Sequence, residues 1–105
     1  MPALAAITTW EGEVRTLATA DVVYSIVIPA GTQQVSIAVV GAVDARFRRT
    51  DGAMGAGDAW MPLYAGATTL VSVDASMQAI PATIYLASGG TAVVCRVMPE
   101  ATRGV

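Results

Sequence analysis

The side chains that carry most protein chemistry are scarce in this sequence. Its 105 residues include no histidine, no lysine and a single cysteine, Cys95. Histidine is the general base that titrates near neutral pH, while lysine supplies Schiff bases and the phosphate contact of a P-loop. We therefore expect a non-enzymatic protein that has no cofactor and no metal site.

Four aspartates are the remaining candidates for acid–base chemistry. Two carboxylates held side by side can act as an acid and a base. Each of these residues, however, lies near a predicted turn or strand end, where aspartate commonly accepts hydrogen bonds from backbone N–H groups. We interpret all four as turn-capping or solvated residues: Asp44, Asp51, Asp58 and Asp74.

Two further features resemble reactive motifs but lack their partners. Cys95 alternates with Val93 and Val97 on an apolar strand face, which predicts a buried thiol, and a lone cysteine forms no internal disulfide. Residues 52–57 resemble a glycine-rich phosphate loop, but neither a Lys-Ser/Thr pair nor a helix follows them. Neither feature predicts catalysis.

Three arginines lie within four residues of one another and are candidates for partner contact. Arg46 and Arg48 share one face of a predicted strand, and Arg49 follows them directly. Guanidinium groups can hold an acidic surface through paired hydrogen bonds. Asp44 and Asp51 flank the group and would neutralise part of its charge. The arginines therefore either contact a partner or form an ordinary solvated, ion-paired face.

The aromatic residues allow two interpretations as well. Trp60 and Tyr64 follow a glycine-rich loop and have the same parity along a predicted strand, so their side chains should point the same way. They either anchor an interface or, as we favour, close the core. Trp10 stands alone in an N-terminal segment that could form an arm reaching a neighbouring subunit.

Composition limits the class of protein that these residues serve. The chain is 54% hydrophobic and 13% charged, with a net charge of −2, which is unlike a disordered chain. It contains no basic cluster long enough to predict nucleic-acid binding. Its longest apolar run, residues 35–43, is too short for a membrane helix, and the N-terminus lacks the basic region of a signal peptide. We expect a protein that is made in the cytoplasm and binds no membrane.

Period-two alternation and frequent turn signals predict an all-β fold. We expect an antiparallel β-sandwich, jelly-roll-like or Ig-like, of about seven to eight short strands. Residues 1–12 would form an N-terminal arm or edge segment, 13–98 the sandwich and 99–105 a flexible tail. Residues 74–80 are either a loop or a single helical turn. The predicted strands are 13–18, 21–28, 34–41, 42–48, 60–64, 68–74, 82–87 and 91–98.

Turn residues predict how some of these strands pair. The sequence Pro29-Ala30-Gly31-Thr32 predicts a tight turn that joins the strands before and after it as an antiparallel hairpin. Ser88-Gly89-Gly90 predicts a second hairpin between the last two strands. Pro62 restricts its segment to an edge strand or a short strand, and Pro99 should end the last strand.

The apolar content exceeds what a single thin sandwich can bury. A domain of about 100 residues buries roughly two thirds of its unfolded surface. The remaining apolar area favours contact with another subunit, because soluble monomers rarely expose wide apolar patches. The absence of lysine, which protects many edge strands, points the same way, although a GC-rich genome also disfavours lysine. Composition therefore favours a structural or interaction protein.

Several stretches of strand and turn sequence carry a family resemblance. They are Ile28-Pro29-Ala30-Gly31-Thr32, Val35-Ser36-Ile37, Val43-Asp44-Ala45-Arg46-Phe47, Met61-Pro62-Leu63-Tyr64-Ala65-Gly66, Ile84-Tyr85-Leu86 and Val93-Val94-Cys95-Arg96-Val97. In this order they resemble the small β-sandwich proteins encoded among the virion structural genes of tailed bacteriophages. The resemblance covers residues 22–98, and no functional residue carries over from it.

The resemblance implies a non-enzymatic virion component. Its most specific implication is a capsid decoration (cement) protein, a homotrimer on the capsid surface that binds the major capsid protein at capsomer junctions. A head fibre, a head–tail protein or a tail component is the alternative within the virion. From another class, the alternative is a small ligand-binding β-sandwich, for example a sugar-binding one that uses Trp60, Tyr64 and Asp58.

Overall fold

The described part of the chain folds into eight β-strands. A computed structural model describes residues 2–72 and 82–101, with side chains through residue 100, so the predicted segment 74–80 lies outside the described residues. These residues contain no helix, and therefore none that is long and apolar enough to cross a membrane. The strands are β1 (Glu13–Leu17), β2 (Tyr24–Ile28), β3 (Thr32–Val40), β4 (Ala45–Arg48), β5 (Met61–Leu63), β6 (Thr68–Ser72), β7 (Ala82–Ser88) and β8 (Val93–Ala101).

The strands form two four-stranded antiparallel sheets. The first sheet has the order β1-β8-β3-β6 and the second sheet has the order β2-β7-β4-β5. Strands at equal distances from the two ends of the series pair with each other: β1 with β8, β2 with β7, β3 with β6 and β4 with β5. This is the jelly-roll arrangement, in which one long hairpin folds over onto itself. The predicted antiparallel sandwich is confirmed, in its jelly-roll form.

The core lies between the two sheets because alternate residues of the strands point inward. On β3 these are Val35, Ile37 and Val39, all buried, while the residues between them are partly exposed. On β8 the inward residues include Cys95 and Val97. Full burial of one such side chain stabilises the fold by about 1.5–3 kcal/mol. The period-two pattern in the sequence therefore marks the strands correctly, and the predicted buried thiol is confirmed.

Both predicted hairpins are wrong, because their turns connect the two sheets. Thr32 donates a backbone hydrogen bond to the Pro29 carbonyl at 3.3 Å, and Gly31 has a φ of 86°. The turn therefore forms, but it leads from β2 in the second sheet to β3 in the first sheet. The Ser88-Gly89-Gly90 turn likewise leads from β7 to β8 across the sandwich. Among the described strands, only β4 and β5 are adjacent both in sequence and in a sheet.

The prediction that Pro99 ends the last strand is also wrong. Pro99 is buried within β8 and lies opposite Val35 of β3. The pairing of β8 with β1 stops at Val97, so Pro99 lies where β8 has a neighbouring strand on one side. Proline is tolerated in such a position because no ladder hydrogen bond is needed on the open side. The predicted edge position of Pro62 is confirmed, since β5 is the last strand of the second sheet.

The N-terminal segment packs against its own sandwich, where it contacts β1 at the edge of the first sheet and β2 at the edge of the second sheet. Leu4 and Ile7 donate backbone hydrogen bonds to β2 carbonyls, Ser25 and Val27 respectively, each at 2.8 Å. Arg15 of β1 donates to the Ala5 and Ala6 carbonyls at 2.7 and 2.8 Å. Residues 2–7 thereby satisfy backbone groups that an exposed edge strand would leave unpaired.

Candidate interaction surfaces

Arg46 holds the loop between β4 and β5 over the outer face of the second sheet. Its Nη1 donates a hydrogen bond to the Met54 carbonyl at 2.7 Å, and its guanidinium carbon lies 5.1 Å from the centre of the Trp60 ring. A weaker ion pair joins Nη1 to Asp21 at 3.8 Å. Met54 is buried outside the main core cluster, and it lines a groove together with Ala87 of β7. The loop therefore covers this face, with Arg46 at the centre of the contact.

Arg48 and Arg49 also bind the chain's own backbone. Arg48 donates from Nη1 to the Ala53 carbonyl and from Nη2 to the Thr50 hydroxyl, both at 3.1 Å. Arg49 donates from Nε to the Ser72 carbonyl at 2.7 Å, which ties the end of β4 to β6 of the other sheet. The arginines thus do not project together as a cationic patch. Three of the four hydrogen bonds named here end on backbone carbonyls, and the fourth ends on the Thr50 hydroxyl, so the outcome lies between the two interpretations that the sequence left open.

The three aromatic candidates differ in their exposure. Trp60 is half-buried and donates from Nε1 to the Gly55 carbonyl at 2.7 Å, which adds a second fastening to the covering loop. Tyr64 is 59% exposed and Trp10 is 44% exposed. The core-closing interpretation is therefore wrong for Tyr64, because β5 ends at Leu63 and the core takes Leu63 instead.

Two of the aspartates considered for catalysis accept backbone hydrogen bonds, while Asp74 lies outside the described residues. Asp44 accepts a hydrogen bond from the Ala65 backbone N–H at 2.7 Å, and Asp58 accepts one from Gly55 at 2.9 Å. Burial raises the pKa of the Cys95 thiol to about 11, which keeps it protonated and unreactive. Within the described ranges, no three His, Cys, Asp or Glu residues cluster in a way that could hold a metal ion.

The grooves around the covering loop do not assemble the residues of a sugar site. One groove of about 390 Å³ is lined by Trp60, Asp44 and Arg46 among others. A second groove of about 290 Å³ lies between the loop and the sheet and includes Asp58. Neither groove contains Tyr64. The predicted combination of Trp60, Tyr64 and Asp58 is therefore not found together in either groove.

The outer face of the first sheet is different, because several large apolar side chains lie exposed on it, whereas Val27 is the exposed apolar residue on the outer side of β2. The ladder places Val14 beside Arg96, and Met98 beside Ser36, which in turn lies beside Leu70. The bare face, as we call it, consists of the outward residues of β1, β8, β3 and β6. Its exposed apolar side chains are Val14 (48% exposed), Val40 (48%), Leu70 (54%) and Met98 (37%).

The sequence analysis did not single out the bare face, although a signal was present. On β3 and β8 the outward residues follow core residues, since Val40 follows the buried Val39 and Met98 follows the buried Val97. A strand with polar residues outside would alternate apolar with polar, whereas these strands are apolar at several positions of both parities. Apolar residues at both parities indicate that both faces of a strand can pack against other groups. The strand order is needed as well, because it shows which outward residues share one face.

A carboxylate near the bare face fastens the N-terminal segment. Glu13 Oε2 accepts backbone hydrogen bonds from Thr8 and Thr9 at 2.8 and 3.1 Å, and Oε1 pairs with Arg15 at 2.9 Å. The Thr8 hydrogen bond, followed by those from Arg15 and Thr9, lowers the pKa of Glu13 from its ordinary value of 4.5 to about 2. Residues 8–13 therefore form a latch at the start of β1.

No family model matches the sequence, and neither a curated protein nor a solved structure is significantly similar to it. The fold and the surfaces define a class of protein: an eight-stranded jelly-roll domain with one covered and one bare outer face. The resemblance to bacteriophage virion proteins stays a prediction.

Proposed function

We propose that this chain is a non-enzymatic structural protein of a tailed-bacteriophage virion, of the capsid decoration type. It would stabilise the head by binding at junctions between capsomers. The observation that carries the proposal is the bare face, which presents Val14, Val40, Leu70 and Met98 on one side of a sheet. Exposed apolar area of this kind marks surfaces that other proteins cover.

The fold is compatible with this role and narrows the alternatives. Jelly rolls occur in viral capsid proteins, in lectins and in cupins. Fold alone leaves the function open, so the surfaces must discriminate among these classes. A lectin or a cupin needs a polar pocket, and the described grooves are lined by side chains that already hold the covering loop, such as Arg46 and Trp60. The bare face instead favours protein–protein contact.

The proposal includes self-association and a second partner, the major capsid protein. A decoration protein stabilises a capsid through the contact area that it buries against neighbouring subunits, and it needs no catalytic group. Apolar side chains on a rigid sheet serve this purpose, because each one that is desolvated contributes about 25 cal/mol per Å². The rigid sandwich also limits the conformational entropy that is lost on binding.

The experiment is to locate the chain in purified particles of the phage that encodes it. Heads and tails are separated, and the chain is quantified in each fraction by mass spectrometry. We expect it in the head fraction, at a copy number comparable with that of the capsomer junctions. Enrichment in tails would support the head–tail or tail alternative instead.

Absence of the chain from washed particles would refute the virion proposal. A glycan array probed with the same purified protein tests the sugar-binding alternative. Binding there that is lost in a Trp60→Ala variant, together with absence from particles, would assign the chain to the other class.

A further inference from the structure

The bare face carries two opposite charges in an order that suits a second copy of this chain. β8 places Arg96, Met98 and Glu100 on the outer face, because Val97 and Pro99 between them are buried. Arg96 lies between Val14 of β1 and Ala38 of β3. The cation, the apolar residue and the anion therefore lie in a straight line along one central strand.

These charges are too far apart to neutralise each other within the strand. Four residues of extended chain span roughly 13 Å, with Met98 halfway between the two charges. The Glu100 carboxylate accepts a long hydrogen bond of 3.4 Å from the Ser36 hydroxyl, which directs it over the outer face beside β3. The face is thus positive at one end and negative at the other, with an apolar centre.

We propose that the bare face binds the same face of a second copy around a two-fold axis that passes over Met98. Rotation about an axis that lies in the interface, perpendicular to the strands, places Arg96 of each copy opposite Glu100 of the other. Met98 and Leu70 then meet their own counterparts near the axis. Such an isologous contact is self-complementary in both charge and hydrophobicity. The inference rests on the proposed assembly role of the bare face, and it names the partner.

The size of the face sets the strength of the contact. Four strands about 4.8 Å apart, each about six residues long, give a face of about 20 Å by 20 Å. Its projected area of about 400 Å² per copy is below the roughly 800 Å² per partner of a standard stable interface. We therefore expect a dimer with a dissociation constant in the micromolar range. This two-fold pair differs from the trimer that the bacteriophage resemblance implies.

The test uses sedimentation equilibrium and native mass spectrometry on the purified full chain between about 10 and 500 µM, the range in which an interface of this size associates. We expect a monomer–dimer equilibrium. The single variants Arg96→Glu and Glu100→Arg each place like charges opposite each other at two positions, and each should weaken dimerisation by about 100-fold.

The decisive arm mixes the two variants in equal amounts. In a mixed pair every acidic side chain faces an arginine, so the two monomeric variants should form a heterodimer of one copy each. An Asp51→Arg variant is the matched control for Glu100→Arg. It makes the same change of charge, from acidic to basic, at an exposed position on the covering loop. It should dimerise like the parent chain.

A monomer at all concentrations, a trimer, or a mixture that stays monomeric would overturn the two-fold inference. Circular dichroism confirms that each variant folds, so that loss of association is not mistaken for loss of structure. A chain that is monomeric in solution but present in purified heads would overturn this inference and leave the virion proposal standing. A dimer absent from particles would do the reverse.

Discussion

The outer faces of the two sheets differ in whether a loop covers them. On the second sheet, the loop between β4 and β5 folds back and buries Met54, held by Arg46 and Trp60. On the first sheet no described loop covers the corresponding positions, and Leu70 and Met98 lie exposed. Both faces are partly apolar, but only one finds its cover within the described part of the chain.

The comparison shows why residue type alone misleads about contact surfaces. Arginines and a tryptophan are enriched at interfaces, and this sequence concentrates them around the loop. Here they bind backbone carbonyls that a loop without secondary structure leaves unpaired. The residues with less distinctive chemistry, such as Val14 and Leu70, are the ones that stay exposed on the sheet. The candidate interaction surface is therefore the set of apolar side chains on the first sheet that no described part of the chain covers.

The largest expected effect comes from removing the cover of the second sheet. Met54→Ala deletes a buried side chain that packs outside the main core, and we expect the free energy of unfolding to fall by about 2 kcal/mol. Met61→Ala is the matched control, because Met61 is exposed on edge strand β5 and its loss should cost less than about 1 kcal/mol. Urea denaturation of both variants measures the difference.

Met54→Ala should also convert the covered face into a second bare face. We expect the variant to bind a hydrophobic dye more strongly and to be cut by protease within residues 49–59 at a higher rate than the parent chain. Equal losses for Met54→Ala and Met61→Ala would mean that the loop does not cover the sheet, and the contrast between the two faces would disappear.

The next largest effect is the difference in stability between replacing Arg46 on the covered face and replacing Arg96 on the bare face. Arg46→Ala removes the hydrogen bond to the Met54 carbonyl and the contact with the Trp60 ring, and we expect a loss of about 1.5 kcal/mol in unfolding free energy. Arg96→Ala, measured at a dilution where the chain is monomeric, should change stability by less than about 0.5 kcal/mol.

Association should respond in the opposite order. Arg96→Ala weakens dimerisation at high protein concentration, whereas Arg46→Ala leaves it within a factor of about two, since distant sites act independently. If Arg46→Ala lowered association without changing stability, the arginine group would be an interface after all, and the assignment of the two faces would have to be exchanged.

A smaller effect concerns the latch that fastens the N-terminal segment to the edge of the first sheet. The folded chain lowers the pKa of Glu13 to about 2, so Glu13 stabilises the fold above its ordinary pKa of 4.5 and loses this contribution as the pH falls through about 2. We expect Glu13→Gln to be less stable than the parent chain at pH 7 and equally stable near pH 2. Thermal unfolding across this range measures the difference.

Glu11→Gln is the control for that series, because Glu11 lies in the same segment but is exposed and takes no part in the bonds that Thr8, Thr9 and Arg15 make to Glu13. Its stability should follow that of the parent chain at every pH. A constant gap between Glu13→Gln and the parent chain down to pH 2 would show that the side chain matters through its shape and not through its ionised form.

The sequence predicts the strands well because burial enforces alternation locally. Along β2 the alternate residues Tyr24, Ile26 and Ile28 are buried, and the intervening Val27 is exposed. Pairing is less predictable, because Pro29-Ala30-Gly31 forms the same kind of turn whether it closes a hairpin or crosses to the other sheet. In this jelly roll the turn crosses to the other sheet, because β2 pairs with β7 and β3 pairs with β8, strands that are distant in sequence.

The candidate site was predictable only in part, for the same reason. A group such as Arg46, Arg48 and Arg49 is visible in sequence, but the carbonyl acceptors that it finds depend on how the loop folds back. The bare face brings together residues as distant as Val14 and Leu70. No local pattern joins them, and the ladder through β8 and β3 is what places them on one surface.

The last prediction tests whether the first sheet is rigid or opens locally. Cys95 lies on the inner side of the first sheet, opposite Arg15 on β1 and Val39 on β3, and burial raises the pKa of its thiol to about 11. If the bare face is a rigid platform, a thiol reagent should label Cys95 only through global unfolding, at a rate that follows the stability measured in denaturant. Stabilising and destabilising variants of the covering loop should then change the labelling rate by the same factor as the unfolding equilibrium. Labelling that is fast and independent of Met54→Ala would show that the first sheet opens on its own. In that case its exposed apolar side chains would reflect local instability, and the bare face would lose its standing as a docking surface.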